Sequence, residues 1–145
     1  MPEDDDASLD FALSDLVRAL GLHRPDQTPC GQPFSPSEAM TLLLLDDRGT
    51  LAQQEITAAL DLEKSTVSRL LDGLARRGLV ERGPHPDGGR RHLVALTDAG
   101  TRQVATLRTA RRQRLERLLE AIPADDRAAV VKVIHQLMEA GHATR

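Results

Sequence analysis

Within five consecutive residues, Ser65-Thr66-Val67-Ser68-Arg69, the chain sets three hydroxyls and a guanidinium around one apolar side chain. Hydroxyls can meet phosphate oxygens or base edges, and a guanidinium can pair bidentately with guanine. Lys64 precedes this run and Arg76 and Arg77 follow it. Arg90 and Arg91 come after the flexible pair Gly88-Gly89. Between Lys64 and His92 seven basic residues stand against three acids, Asp72, Glu81 and Asp87. Such a set is suited to holding a polyanion. The net charge of −3 argues otherwise only until it is placed along the chain, because Glu3, Asp4, Asp5, Asp6 and Asp10 crowd the first ten residues. A phosphate backbone meets the local field, not the total. Plain solvation of helix faces is the alternative use of such charge. Of the 19 basic residues only Lys64 and Lys132 are lysine. Arginine suits bidentate contacts, although genome composition can produce the same bias.

The elements that must position these groups are legible around them. Val67, Leu70, Leu71 and Leu74 recur at helical spacing, which predicts a helix from Lys64 to about Arg77 with Gly78 as its left-handed cap. A shorter helix from about Gln53 to Leu60 precedes it, with Ile56, Ala59 and Leu60 inward and Asp61-Leu62-Glu63 as the break. Leu79–Arg82 and His92–Leu96 read as strands around a Gly-, Pro- and Asp-rich loop. Helix, turn, helix, strand, wing, strand is the layout of a winged helix-turn-helix, and it points to double-stranded DNA. On that layout Ser65 and Thr66 lie at a helix N-terminus, where free N–H groups and the dipole favour phosphate. Ser68 and Arg69 lie one turn on, within reach of major-groove bases. The alternative for Arg69 is a salt bridge to Asp72 at i+3. Arg76 and Arg77 can contact phosphate or complement the C-terminal dipole. Arg90, with Arg91 beside it, can enter a narrow minor groove. Gln53 and Gln54 can touch the DNA backbone.

The rest of the chain frames this block. Residues 1–7 are expected to be a disordered acidic tail, and 8–145 a single domain. Leu9, Leu13, Leu16 and Leu20, with Ala12 and Val17, form a helical stripe ending near Gly21. Five Pro and Gly residues make the segment from Arg24 to Pro36 a loop. Ser35, Pro36 and Glu38 then form a capping box for a helix to about Leu45, broken by Asp46-Asp47-Arg48-Gly49. Thr97 caps a long helix, about Asp98 to Ala121, and Pro123 separates it from a last helix carrying Val130, Val131, Ile134, Leu137 and Met138. The fold class is mainly α with a small antiparallel β wing. The winged lobe, 36–96, can close a small core alone. The helices in 8–22 and 98–142 carry apolar stripes beyond its needs, which implies a two-fold dimer, or else a monomeric bundle.

Other functional classes find little support. Hydrophobic residues make up 40% of the chain, but no run is long enough to span a membrane, and the acidic start is unlike a signal peptide. A cytoplasmic protein is expected. There is no nucleophile elbow, phosphate loop or metal cluster, so neither enzyme activity nor a cofactor is expected. Asp46-Asp47 reads as a turn rather than a catalytic pair. His23, His85, His92, His135 and His142 show no tight ligand spacing. Cys30 cannot form an internal disulfide, and its Pro-rich loop could expose it to oxidation. A winged helix that binds protein instead of DNA is the competing class; it requires no basic wing.

The assembled motifs resemble the MarR family of winged-helix regulators, from about Leu9 to Met138. The sharpest part is STVSRLLDGLARRGLVER followed by RRHLVALTDAG. The resemblance implies a two-fold dimer of six-helix subunits whose first, fifth and sixth helices form the interface. It implies a transcription regulator, most often a repressor, released from an inverted-repeat operator by a small ligand or by thiol oxidation, here at Cys30. An activator of the same fold is a further possibility. By resemblance the effector pocket would draw on Leu16, Met40, Leu43 and Arg108. Three positions depart from the family pattern. Ala52 stands where Ser or Thr often caps the third helix, so Thr50 is expected to cap instead, with Gln53 three residues on. Glu63 replaces a capping Asp. Arg90 matches the family's wing arginine, but Gly88 occupies the place of its acidic partner, which is displaced to Asp87.

Overall fold

The computed structural model describes residues 2–88 and 92–144. It divides into two compact units, Met1–Ala110 and Arg111–Arg145. The first unit opens with α1 (Pro2–Leu20), which begins before the apolar repeat, in the segment expected to be a tail. Proline followed by acids is a sequence that a first helical turn favours. Every side chain from Ala7 to Ala19 is exposed, including Leu9, Phe11, Leu13, Leu16 and Val17.

The winged lobe follows the expected order with three differences. α2 (Pro36–Arg48) starts in the anticipated capping box: Ser35 Oγ accepts from the Glu38 N–H at 3.1 Å, and Glu38 Oε2 accepts from the Ser35 N–H at 2.8 Å. It runs one turn past Leu45, so Asp46-Asp47 is helix rather than a break, and Gly49 ends it. A two-residue strand not foreseen in the sequence, β1 (Leu51–Ala52), leads into α3 (Gln53–Leu60). Two residues are too short for any periodicity. Ala52, not Thr50, is the N-cap of α3; it makes no side-chain cap bond, and the Glu55 carboxylate accepts the Ala52 N–H at 2.7 Å, the half of a capping box that needs no cap side chain.

α4 (Lys64–Arg76) ends as foreseen. Gly78 adopts φ +70°, its N–H donates to Ala75 O at 2.9 Å, and the Leu79 N–H donates to Leu74 O at 3.0 Å. β2 (Val80–Pro84) and β3 (His92–Leu96) form the wing hairpin, and β1 adds to the outer edge of β3, giving the antiparallel order β1-β3-β2. The core is aliphatic apart from Phe34: Leu42, Leu45, Ile56, Val67, Leu71, Leu74, Val94, Val104 and Leu107 are fully enclosed. The last two belong to α5 (Asp98–Ala121), which starts in this unit.

A single residue locks the wing to α5. Thr97 Oγ1 donates to Gly78 O at 2.6 Å and accepts from the Gly100 N–H at 3.0 Å, while the Thr97 N–H donates to Leu79 O at 3.1 Å. Gly100 lies so close beneath that a Cβ there would stand 2.0 Å from Leu79 O.

The second unit holds the end of α5, a 3-10 turn (Ala124–Asp126) and α6 (Arg127–Ala143). Arg127 Nε donates to Ile122 O at 3.2 Å and closes the turn between the helices. No residue of α6 is buried; Val131, Val133, Ile134 and Met138 are all about half exposed, as are Leu115 and Leu119 of α5.

Candidate nucleic-acid interface

α4 has two chemically distinct faces. Val67, Leu71 and Leu74 are fully buried, which fixes its rotation about its own axis. That rotation leaves Lys64, Ser65 and Arg69 exposed, and Thr66 and Ser68 partly so. Among the described residues, Ser65, Thr66 and Ser68 make no side-chain hydrogen bond, and Lys64 and Arg69 have no ion-pair partner. Thr41, Thr57, Thr101 and Thr106 behave differently, each donating to the carbonyl four residues back at 2.8 to 3.3 Å. Glu63 caps α4 by position only and makes no side-chain cap bond, so the first-turn N–H groups keep their donors. One exposed helical face therefore carries unengaged hydroxyls, N–H donors and two cations.

The remaining sequence-derived candidates separate. Arg76 is exposed at the end of α4 and has no ion-pair partner among the described residues. Gln53, partly exposed, opens α3, and its carbonyl accepts from Thr57. Arg77 is engaged within the lobe. Its Nη2 donates to Pro33 O at 3.0 Å, its guanidinium lies 4.3 Å from the centroid of the buried Phe34 ring, and Glu38 Oε2 stands 3.9 Å from Nη1. This ties the end of α4 to the entry of α2. Arg90 and Arg91 lie outside the described residues. Asp87, the displaced acid of the wing, stands 3.5 Å from His85 Nδ1, which accepts the Asp87 N–H at 3.2 Å.

A pair that the sequence reading did not anticipate links wing to helix. Arg82 Nη1 donates to Asp72 Oδ1 at 2.7 Å and Nη2 to Ser68 O at 3.3 Å. Arg82 sits opposite the buried Val94 in the hairpin register, and so shares its face of the sheet. The alternation Val80-Glu81-Arg82 carried that signal, since Val80 and Arg82 must point the same way. Asp72 is thereby taken by Arg82, not by Arg69.

The residues named for effector binding and redox sensing are also dispersed. Leu16 and Met40 are exposed, and Leu43 packs in the core. Arg108 of α5 holds the end of α2, donating through Nε and Nη2 to Asp46 Oδ2 at 2.9 and 2.8 Å and through Nη2 to Asp47. Hydrogen bonds to Asp46 and then Asp47 raise its pKa further above the usual arginine range. Cys30 is half-buried against the core, with its Sγ 3.1 Å from the hydroxyl of the buried Thr28.

Comparison with known proteins gives consistent matches. Residues 32–91 match the MarR family profile. The uncharacterized HTH-type transcriptional regulator ML2140 of Mycobacterium leprae is 29% identical over 121 residues, 83% of this chain and 81% of that protein. The HTH-type transcriptional repressor NicR of Pseudomonas putida is 25% identical over 113 residues, covering 78% and 72%. The crystal structure of the PcaV transcriptional regulator from Streptomyces coelicolor with its natural ligand superposes with a TM-score of 0.69 at 26% identity, covering 90% of this chain and 91% of that one.

Proposed function

We propose that this chain, whose residues 32–91 match the MarR family, is a dimeric repressor of that kind that places α4 in the major groove of an inverted-repeat operator. The observation that carries the proposal is the unengaged outer face of α4. Ser65, Thr66 and the first-turn N–H groups are suited to phosphate, and Ser68 and Arg69 to base edges. Lys64, Gln53 and Arg76 flank them as backbone contacts. Arg77 supports this surface from behind through Phe34 and Pro33. Arg90 and Arg91 are assigned to the minor groove from their place in the sequence.

The dimer is supported by apolar side chains left uncovered on α1, on α6 and on the end of α5. Release by a small molecule is supported by PcaV, crystallised with its natural ligand; Leu16, Met40 and Arg108 are the residues here with accessible surface to meet one. Half-buried Cys30 offers no comparable support for a thiol switch.

Selection of bound genomic fragments followed by gel shifts tests the reading. An inverted repeat with half-sites centred about one helical turn apart, roughly 34 Å, is expected. Failure of the protein to retain any duplex would sink it in favour of a protein-binding winged helix.

A further inference from the structure

We propose that Arg82 is a positioning residue for base recognition: by holding Asp72 it keeps Arg69 unpaired and available to DNA. The inference rests on the reading of α4 as the recognition helix. Asp72 stands three residues after Arg69, a spacing at which helical side chains meet and an acid and an arginine ordinarily pair. Such a pair would turn the Arg69 guanidinium back along its own helix and occupy the fork that a guanine edge needs. The structure holds a different pair. Arg82 reaches across from β2 and spans one turn of α4, with Nη1 on Asp72 Oδ1 at 2.7 Å and Nη2 on Ser68 O at 3.3 Å.

Arg82 is the stronger competitor for physical reasons. Its side chain is 27% exposed, and its backbone is fixed by the hairpin register opposite Val94. Little freedom remains to be lost when the bond forms. Arg69 is exposed on a free helix face, so pairing would restrict a mobile side chain for a solvent-screened contact. The second arm, on the Ser68 carbonyl, gives the guanidinium a further fixed point beside Asp72. Arg82 also neutralises a carboxylate that would otherwise face the phosphates.

The test measures discrimination rather than affinity, because any change of charge alters affinity for all sequences alike. Arg69→Ala first identifies the operator base pair whose substitution no longer matters. The ratio of binding to operator and to that substituted site is then measured at one salt concentration, with thermal midpoints alongside. Asp72→Asn should keep the wild-type ratio. Arg82→Ala should lower it on the order of tenfold, towards the Arg69→Ala value. The double variant Arg82→Ala/Asp72→Asn should restore it, because the competing acid is gone. Arg82→Lys, which keeps a cation on Asp72, should retain it. If Arg82→Ala does not fold, Arg82→Gln with and without Asp72→Asn gives the same comparison. A wild-type ratio in the single Arg82 variant overturns the proposal. So does a low ratio that the double variant fails to restore, since Arg82 would then be only a brace. If Arg69→Ala changes no base preference, the base contact itself fails and the proposal with it; absence of any duplex binding by the wild type removes the DNA reading as a whole.

Discussion

At the scale of single residues, two side chains that look alike in sequence serve opposite ends. Arg76 and Arg77 are adjacent, yet Arg76 is free and Arg77 is bound to Pro33 O and the Phe34 ring. Arg77→Ala should therefore lower stability, by about 1–2 kcal/mol from the lost cation–π contact and hydrogen bond. Arg76→Ala should leave the unfolding midpoint unchanged and weaken DNA binding equally for all sequences. Urea titrations and gel shifts on both variants check this; a destabilised Arg76→Ala would show that its exposure is misleading. Gly100 is the other decisive residue. A Cβ at 2.0 Å from Leu79 O requires the wing and α5 to part. Gly100→Ala should cost at least the roughly 1–3 kcal/mol typical of overpacking, despite alanine's better helix propensity. A stabilised Gly100→Ala in chemical denaturation would contradict that packing.

At the scale of elements, the question is what fixes wing, recognition helix and α5 in one geometry beyond the apolar core they share. Two joints answer it. Arg82 ties β2 to the middle of α4, and Thr97 ties the exit of β3 to the end of α4 and the start of α5. Thr97→Ala removes both the α5 cap and the bond to Gly78 O, and should cost about 1–2 kcal/mol. Thr97→Ser keeps the hydroxyl and should recover most of it. Equal thermal midpoints for the Ala and Ser variants would mean that the hydroxyl has no such role. The α5 contact to α2 through Arg108 is more exposed. Its raised pKa lies so far above neutrality that it predicts no pH-dependent change in stability near pH 7.

At the scale of the whole molecule, the exposed apolar side chains dominate. Leu115, Leu119, Val131, Ile134 and Met138 are accompanied by Leu9, Phe11 and Leu16 on α1, far more apolar surface than a lone subunit ordinarily leaves wet. Thermal unfolding should therefore depend on protein concentration. Leu115→Glu with Ile134→Glu should shift sedimentation towards monomer while the winged lobe keeps its helical signal. A wild-type chain that sediments as a monomer at all concentrations would rule out the dimer. If each subunit neutralises about four phosphates, log K for the dimer should fall with log salt with a slope of roughly −7. A flat salt response would remove the electrostatic part of the proposal.

The amino-acid sequence by itself carried the resemblance to a family, the order of helices and wing strands, and the residues on the outer face of α4. It did so because these follow from local periodicity and from punctuation: Val67, Leu71 and Leu74 orient the helix, Ser35 and Glu38 start one, and Gly78 stops another. It did not determine where α2 stops, the strand β1 or the cap of α3, because those depend on neighbours distant in the chain or on single bonds. Nor did it determine which charges pair. Arg69 precedes Asp72 by three residues, and Arg82 follows it by ten. Spacing favours the first pair; the hairpin register, which places Arg82 beside Val94 and over α4, decides for the second. Local sequence sets where a helix points its side chains. Only tertiary structure settles which of them remain free.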